Sequence, residues 1–152
     1  MVTKNKLDKS FGPVGSIAGS LMFIAGILVI YTSLLGLFFI ILGAFIGFSS
    51  TSTIIDIDKK RIKFSNNIFG IIQTGKWIQI DKTMKIGLKE SNKTWTSYSR
   101  GNRSLDIEDK DYRISIFDVN KNEIMEINKN DSIDSAKVKL EELANQLGIG
   151  LI

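Results

Sequence analysis

The sequence predicts an α+β protein with a transmembrane α-hairpin, then an antiparallel sheet of about seven strands, then a C-terminal α-helix. Three observations predict this order. Residues 10–55 contain no Asp, Glu, Lys or Arg. The chain after them carries short runs of alternating apolar and polar side chains separated by turn residues, which is typical of half-buried strands. Near the C terminus the apolar spacing changes to that of an amphipathic helix.

The uncharged run predicts two membrane crossings. A hydrocarbon core about 30 Å thick needs about 20 apolar residues per helix, so this run is too long for one crossing and too short for three. A polar cluster, Tyr31, Thr32 and Ser33, divides the run, and each half must be helical because hydrocarbon offers the backbone no other partner. We therefore predict a basic cytoplasmic tail over 1–11, helices over about 12–30 and 34–49 with a turn at 31–33, and a cytoplasmic domain over 50–152.

Six glycines predict how the two helices pack. Their numbers are mirrored about residue 31, so antiparallel helices would place them level in pairs: Gly15 with Gly47, Gly19 with Gly43, and Gly26 with Gly36. Small residues let membrane helices approach closely, and we interpret these glycines as the contact inside the hairpin. The alternatives are a contact between two copies of the chain and the general abundance of glycine in membrane helices.

The charges beside the uncharged run predict its orientation. The connecting turn has no Lys or Arg, whereas Lys4, Lys6 and Lys9 precede the helices and a basic stretch at 59–63 follows them. The positive-inside rule then predicts a multi-pass protein of the cytoplasmic (inner) membrane with both termini in the cytoplasm. A cleaved signal peptide is the alternative, but the first apolar segment is long and lacks an A-x-A-like cleavage site.

The sequence pattern over 50–128 predicts strands joined by short turns. Segments with alternating apolar side chains cover 54–58, 61–65, 68–73 with a continuation at 76–80, 84–88, 93–99, 112–118 and 123–128. Residues 100–111 are predicted to form a loop, because Gly101, Asn102 and Arg103 are followed by an acidic run. Turns this short connect antiparallel neighbours.

One helix is predicted at about 132–147. Asp131 or Ser132 can act as its N-cap, and Gly148 is positioned to end it. Its apolar residues fall on one face, at Ala136, Leu140, Leu143, Ala144 and Leu147. This face must be buried, and the open end of a curved sheet is the available partner.

Short motifs in the domain carry a resemblance to a known family. They are Ile54, Ile55, Asp56, Asp58, Arg61, Ile62, Ile68, Phe69, Gly70, Gly75, Lys76 and Trp77. With this order of elements, the chain resembles bacterial membrane proteins in which a two-helix hairpin precedes a pleckstrin-homology-like (PH-like) domain. The resemblance implies a strongly bent antiparallel sheet of about seven strands capped by the C-terminal helix. It also implies a binding or assembly module without catalytic residues.

The composition excludes several classes of catalytic site. The chain has no histidine and no cysteine, so imidazole acid–base chemistry, thiolate nucleophiles and the common zinc sites are absent. No phosphate-binding glycine loop occurs. Carboxylates do occur in groups, at Asp56 with Asp58, at 106–111 and at Glu141 with Glu142, and we interpret them as solvated side chains. The sequence therefore predicts no enzyme, no cofactor and no metal site.

Two basic groups form a candidate lipid or partner surface. The first, Lys59, Lys60, Arg61 and Lys63, either attracts anionic lipid or only sets the topology. The second mixes basic and aromatic residues: Lys85, Lys89, Lys93, Trp95, Tyr98, Arg100 and Arg103. It either binds a lipid surface or is the solvated face of a strand. A nucleic-acid partner is not expected, because the net charge of +4 is small and the basic footprint is not extended.

The sequence thus predicts a non-catalytic, membrane-anchored module for protein interaction or self-assembly at the cytoplasmic face. Its partners would be the membrane, in which it is integral, and either another protein or further copies in a homo-oligomer. Two alternatives stay open. One is a sensor of anionic lipid surfaces that uses the basic residues, and the other is an auxiliary subunit of a transporter or other membrane complex.

Overall fold

The structure is a computed structural model that describes residues 1–101 and 103–152. Its helices are α1 (Gly12–Val29), α2 (Leu35–Phe48) and α3 (Ile133–Leu147). Its strands are β1 (Val2–Lys9), β2 (Ser50–Asp56), β3 (Arg61–Ile68), β4 (Ile72–Thr74), β5 (Trp77–Gln79), β6 (Lys85–Tyr98), β7 (Ser104–Phe117), β8 (Glu123–Asn130) and β9 (Gly150–Leu151).

These elements confirm the predicted fold class at the level of an α+β protein. Two N-terminal helices precede strand-rich sheets that include a curled half-barrel, and a C-terminal helix follows. One sheet has the strand order β1-β2-β3-β4, with β5 also paired to β3, and the other has the order β8-β7-β6-β9. The pairs β6 with β7 and β7 with β8 are antiparallel, as predicted, whereas β9 joins β6 in parallel.

The chain divides into two compact units. The first, which we call the helical unit, contains α1, α2 and β4 and comprises Asp8–Thr51 and Asn66–Thr74. The second, which we call the sheet unit, contains α3 and β5 to β9 and comprises Met1–Leu7, Ser52–Ser65 and Gly75–Ile152. Strands β1, β2 and β3 contribute residues to both units.

Among the described residues, α1 is the one helix long and apolar enough to cross a bilayer. It has 18 residues with a mean hydropathy of 1.8, and Pro13 lies in its first turn, where the missing N–H of proline is harmless. α2 has 14 residues, so it is about 21 Å long, which is less than the roughly 30 Å of a hydrocarbon core. By length, the structure therefore contains one candidate crossing where two were predicted.

Direct backbone contact joins α1 to α2 within the helical unit. A Cβ built on Gly19 would lie 2.9 Å from the Cα of Gly47, and one built on Gly43 would lie 2.8 Å from the carbonyl oxygen of Gly19. A Cβ on Gly26 would lie 2.9 Å from the carbonyl oxygen of Gly36. No side chain fits at these distances, so these five glycines let the two helices touch.

Gly15 has a different neighbour. A Cβ built there would lie 2.9 Å from the Cβ of Phe11, and no described atom of α2 lies within 4 Å of it. Gly47 lies against Gly19 and Ser20 instead. The structure therefore does not bring Gly15 and Gly47 together, because the contact between the helices is displaced by about one turn from the predicted register and places Gly47 against Gly19.

The sheet unit has an apolar core built from strands and α3. Ile114 and Ile116 of β7 are fully buried at its centre, together with Ile86 of β6 and Ile55 of β2. The other buried members are Ile62, Ile80, Met125, Ile127, Leu143, Ala144, Leu147 and Ile149. Burial of each large apolar side chain contributes about 1.5–3 kcal/mol, so this cluster is a main source of stability for the unit.

The helix α3 covers this core as its sequence predicts. Ser132 is the N-cap, and its side chain accepts a hydrogen bond from the Ser135 N–H at 3.3 Å. Gly148 ends the helix in the left-handed conformation, with a φ of 69°, which glycine adopts without a steric penalty. The predicted apolar face is buried at Ala136, Leu143, Ala144 and Leu147 and partly buried at Leu140.

The prediction of a loop over 100–111 is wrong, because β7 begins at Ser104. β6 is a single strand of 14 residues where two shorter strands were predicted, and all 14 residues pair with β7. Cross-strand partners can offset acidic charge, so the acidic run fits in a strand. Asn102, which was assigned to the predicted loop, lies outside the described residues.

Two other predicted segments differ. The tail predicted over 1–11 contains β1, which pairs with β2 and buries Leu7. The strand predicted over 68–73 is interrupted, because Phe69 and Gly70 have φ values of 55° and 75°. Left-handed residues turn the chain, so β4 begins only at the end of that segment.

Replacing Gly19 by Ile should separate α1 from α2. The added Cβ would meet the backbone of Gly47, which cannot move aside as a side chain can. Overpacking of this kind typically costs about 1–3 kcal/mol. We therefore expect a lower midpoint in the thermal unfolding of the full chain in mild detergent, followed by circular dichroism. Ala18→Ile adds similar bulk at the adjacent, exposed position of α1 and should leave the midpoint unchanged. Equal midpoints for the two variants would contradict this contact.

Candidate functional site

The sheet made by β6, β7 and β8 has two faces of opposite character. On β7, Ile114 and Ile116 point to the core, whereas Arg113 points to the other face. Lys89 of β6 lies directly opposite Arg113, so both side chains extend on that second face. The charged and polar side chains there form what we call the charged face: Lys89, Asp109, Asp111, Arg113, Ser115, Glu123, Glu126 and Lys129.

Arg113 lies at the centre of the charged face and is 0% exposed. Its Nε donates to Oδ1 of Asp111 at 2.6 Å, and its Nη2 donates to Oδ2 of the same carboxylate at 2.8 Å. Its Nη1 donates to Glu126. Asp111 is also buried, so the fork of the guanidinium meets a planar carboxylate away from water.

Two lysines, Lys89 and Lys129, extend the charged face along the strands through further ion pairs. Lys129 Nζ donates to Oδ2 of Asp109 at 2.6 Å. Glu123 accepts hydrogen bonds from the Ser115 hydroxyl at 2.7 Å and from Lys89 Nζ at 2.9 Å. The charges therefore neutralise one another across neighbouring strands, and they favour the observed pairing of β7 with β8.

The pKa shifts on the charged face follow from its geometry. Burial alone would raise the pKa of Asp111, but hydrogen bonds from Arg113 and Lys129 outweigh it and hold that pKa below its ordinary value. Burial would lower the pKa of Lys129, yet its bonds to Asp109 and Asp111 raise it. Burial likewise opposes the ionisation of Glu123, and its hydrogen-bond donors lower its pKa.

Two of the basic residues predicted as a lipid or partner surface are held by neighbours. The hydrogen bond from Lys89 to Glu123 raises the pKa of Lys89. Arg61 Nε donates to Oδ2 of Asp56 at 3.0 Å, and its guanidinium lies 4.3 Å from the centre of the Trp77 ring. A cation held by a carboxylate or an aromatic ring is less available to a lipid headgroup.

Five other predicted basic residues lie at turns or on β3. Lys59 and Lys60 are exposed in the turn after β2, and Lys63 is half-buried on β3. Arg100 and Arg103 are exposed at the connection between β6 and β7. The structure therefore does not gather these residues into one site.

The remaining predicted residues lie along β6. Lys85, Lys89, Lys93 and Trp95 are separated by even numbers of residues, so they share one face of the strand, and Tyr98 lies on the other. Trp95 is half-buried and Tyr98 is exposed. The two aromatic side chains therefore lie on opposite faces of β6.

The far half of the β6 and β7 pair is a two-stranded ribbon. β8 pairs with β7 only over residues 112–117, and β9 pairs with β6 only at Lys85 and Ile86. Residues 91–98 and 104–111 pair with each other and, among the described residues, with no third strand. We call these two segments the distal ribbon.

Sequence reasoning missed the charged face. Arg113 lies between Tyr112 and Ile114, and an arginine within an alternating apolar strand is a signal for a buried ion pair. Its partner Glu126 is 13 residues away, so only the strand pairing reveals it. The acidic run 106–111, which the sequence suggested to be solvated, supplies two of the ion-paired carboxylates.

Comparisons of the chain with protein-family models, with curated proteins and with solved structures find no match. The resemblance to PH-like domains therefore stays a prediction from the sequence. A function for this chain must be inferred from the helical unit, the charged face and the distal ribbon.

Replacing Arg113 by Met should strongly destabilise the sheet unit. The change leaves Asp111 buried without its bidentate partner, and breaking a buried pair in this way costs about 3–5 kcal/mol. Arg103→Met removes the same charge from an exposed position and should change stability by no more than about 0.5 kcal/mol. Urea unfolding of the full chain in mild detergent measures both. Similar unfolding midpoints for the two variants would show that the buried ion pair is not needed for the stability of the sheet unit.

The charged face also predicts how stability depends on pH. The pKa values of Asp111 and Glu123 in the folded chain lie below the ordinary carboxyl values. Their contribution to the free energy of unfolding is therefore complete above about pH 4, the ordinary carboxyl range, and it is lost as the pH falls through the folded pKa values. The raised pKa of Lys129 adds stability that is lost only above about pH 10.4.

Unfolding free energies measured between pH 7 and pH 2.5 should therefore fall below about pH 4. Glu123→Gln removes one titrating group and keeps an oxygen that can accept the hydrogen bond from Ser115. The unfolding free energy of this variant should therefore fall less steeply with decreasing pH than that of the parent chain. If the parent chain and the variant lose stability in parallel as the pH falls, Glu123 does not contribute to the pH dependence of stability.

Proposed function

We propose that this chain is a non-catalytic, membrane-anchored module whose PH-like sheet unit binds a protein partner, or a second copy of the chain, through the distal ribbon. The distal ribbon carries the proposal, because two strands with unpaired edges and exposed apolar side chains gain stability from a partner. The helices would hold this module at the cytoplasmic membrane.

The surface of the helical unit supports the membrane anchor. Large apolar side chains are more than half exposed on both helices, at Ile17, Leu21, Leu28, Phe38 and Ile41. Contiguous apolar surface of this kind marks contact with a membrane or another protein. Neither helix contains Asp, Glu, Lys or Arg, as expected of segments that lie in hydrocarbon.

A return crossing by α2 completes the proposed topology. A helix that is several Å shorter than the hydrocarbon core can be accommodated by local thinning of the bilayer at a modest cost. Leu34, the residue just before α2, extends the apolar segment by one position. With lysines on both sides of the uncharged run and none in its turn, both ends would lie in the cytoplasm.

The edges of the distal ribbon support a binding role. Each of its strands forms eight cross-strand pairs, which makes the ribbon longer than an average strand of about 5–6 residues. An isolated two-stranded ribbon is only marginally stable in water. Long free edges are either protected or used to bind another strand, and no strand protects these among the described residues.

Side chains on the distal ribbon can act as anchors for a partner. Tyr98 is 76% exposed and Leu105 is 59% exposed, and Trp95 lies opposite Ile107. Aromatic residues are enriched at protein interfaces and often carry much of the binding energy. The charged residues between them would orient the partner more than hold it.

The association state of the full chain tests this proposal. Light scattering coupled to size-exclusion chromatography in mild detergent should show either a homo-oligomer or a stoichiometric complex with another protein. The double variant Tyr98→Ser, Leu105→Asp removes two apolar anchors and should abolish the complex. Val119→Asp adds the same charge at an exposed turn position between β7 and β8 and should preserve it.

The outcomes separate the candidate functions. Loss of the complex in the double variant alone supports the distal ribbon as the docking surface. A complex that survives in both variants would contradict that surface, and a monomer without a stoichiometric partner would contradict the interaction function. A larger membrane protein as the partner would favour the auxiliary subunit over self-assembly.

A further inference from the structure

A groove runs along α1 on the surface of the helical unit. It is a shallow, open groove of about 450 Å³ lined by Lys9, Pro13, Ser16, Ile17, Ser20 and Leu21. The helical members of this set recur every three or four residues, so they form one stripe roughly 12 Å long. The stripe combines apolar walls with a cation at one end.

Lys9 places a positive charge where the apolar segment begins. β1 ends at Lys9 and α1 begins at Gly12, and Lys9 lines the groove together with Pro13 of the first turn of α1. Its Nζ lies 3.5 Å from the carbonyl oxygen of Gly47, which is a long hydrogen bond. An ammonium has three donors, so one long bond leaves capacity to bind an anion.

A buried hydroxyl beneath the same groove lacks a partner. Ser16 is 6% exposed, and its Oγ makes no hydrogen bond with any described residue. The Ser20 hydroxyl, in contrast, donates to the carbonyl oxygen of Ser16 at 2.8 Å. A buried hydroxyl without a partner is destabilising. The Ser16 Oγ has almost no accessible surface, so this hydroxyl lies beneath the groove and a ligand in the groove does not reach it.

The groove therefore matches an amphiphile with a negative headgroup and an apolar chain. A second copy of the chain fits less well, because its α1 and α2 carry no acidic residue to pair with Lys9. Basic residues beside a bilayer are attracted to anionic lipid in the cytoplasmic leaflet. Charge complementarity thus selects a lipid over another helix.

We propose that this groove binds one anionic phospholipid, with its phosphate on Lys9 and the first part of an acyl chain along Ile17 and Leu21. This inference rests on the proposed membrane anchor and is independent of the distal ribbon. It makes the helical unit a lipid-selective site as well as an anchor.

Native mass spectrometry of the full chain in mild detergent tests the site. The protein is titrated with phosphatidylglycerol and with phosphatidylcholine of the same acyl chains. We expect one phosphatidylglycerol to bind in preference to phosphatidylcholine. Lys9→Gln should weaken phosphatidylglycerol binding about fivefold, the effect of one basic residue near an anionic surface. Ser16→Ala should leave the binding of both lipids unchanged, because the Ser16 hydroxyl is not accessible from the groove.

Lys6→Gln is the matched control, because it removes an equal, exposed charge from β1 at a position outside the groove. It should bind phosphatidylglycerol as the parent chain does. Equal retention of the two lipids, or equal weakening by Lys6→Gln and Lys9→Gln, would overturn the site. Alkaline washing of membranes separates this failure from failure of the anchor. A chain that stays in the pellet without lipid preference refutes only the groove, and a chain released to the supernatant refutes the anchor and the groove together.

Discussion

The sheet unit depends on the burial of one cation. A guanidinium removed from water is tolerated only when carboxylates satisfy it, and Asp111 and Glu126 do so from the same strand and from its neighbour. Because side chains alternate along a strand, a slip of one residue in β7 would move Arg113 into the apolar core and Ile114 onto the charged face. Ion pairs on one face and apolar packing on the other therefore specify the same register.

The distal ribbon lies mostly beyond these two constraints and shares only Asp109 and Asp111 with the charged face. The pairing of β8 with β7 stops at Tyr112, and over 104–111, among the described residues, β7 pairs only with β6. The ribbon is therefore held mainly by its own backbone ladder and by cross-strand pairs such as Trp95 with Ile107. Local stability should decline along these strands, and segments of low local stability are the ones that proteins commonly use for binding.

A different force organises the helical unit. In the proposed membrane setting apolar burial does not drive the helices together, so close backbone contact through glycines such as Gly19 and Gly43 supplies the packing. Small side chains beside this contact leave space that larger ones would fill. Ser16 and Ser20 of α1 border that space. This explains why α1 has a groove with serines beside it although the helix is otherwise apolar.

The sequence by itself determined the features whose signals are local: the uncharged run, the cap and apolar face of α3, and most of the glycines between α1 and α2. Helical contacts repeat every three or four residues, so a single stretch of sequence contains the pattern. The basic and aromatic residues of β6 could also be named in advance, but not their partners. Only the tertiary structure decided that the acidic run 106–111 lies in a strand and that Arg113 meets Glu126. Strand pairing joins residues that are distant in sequence. Until that pairing is known, the sequence around a carboxylate does not show whether the group is solvated or buried in an ion pair.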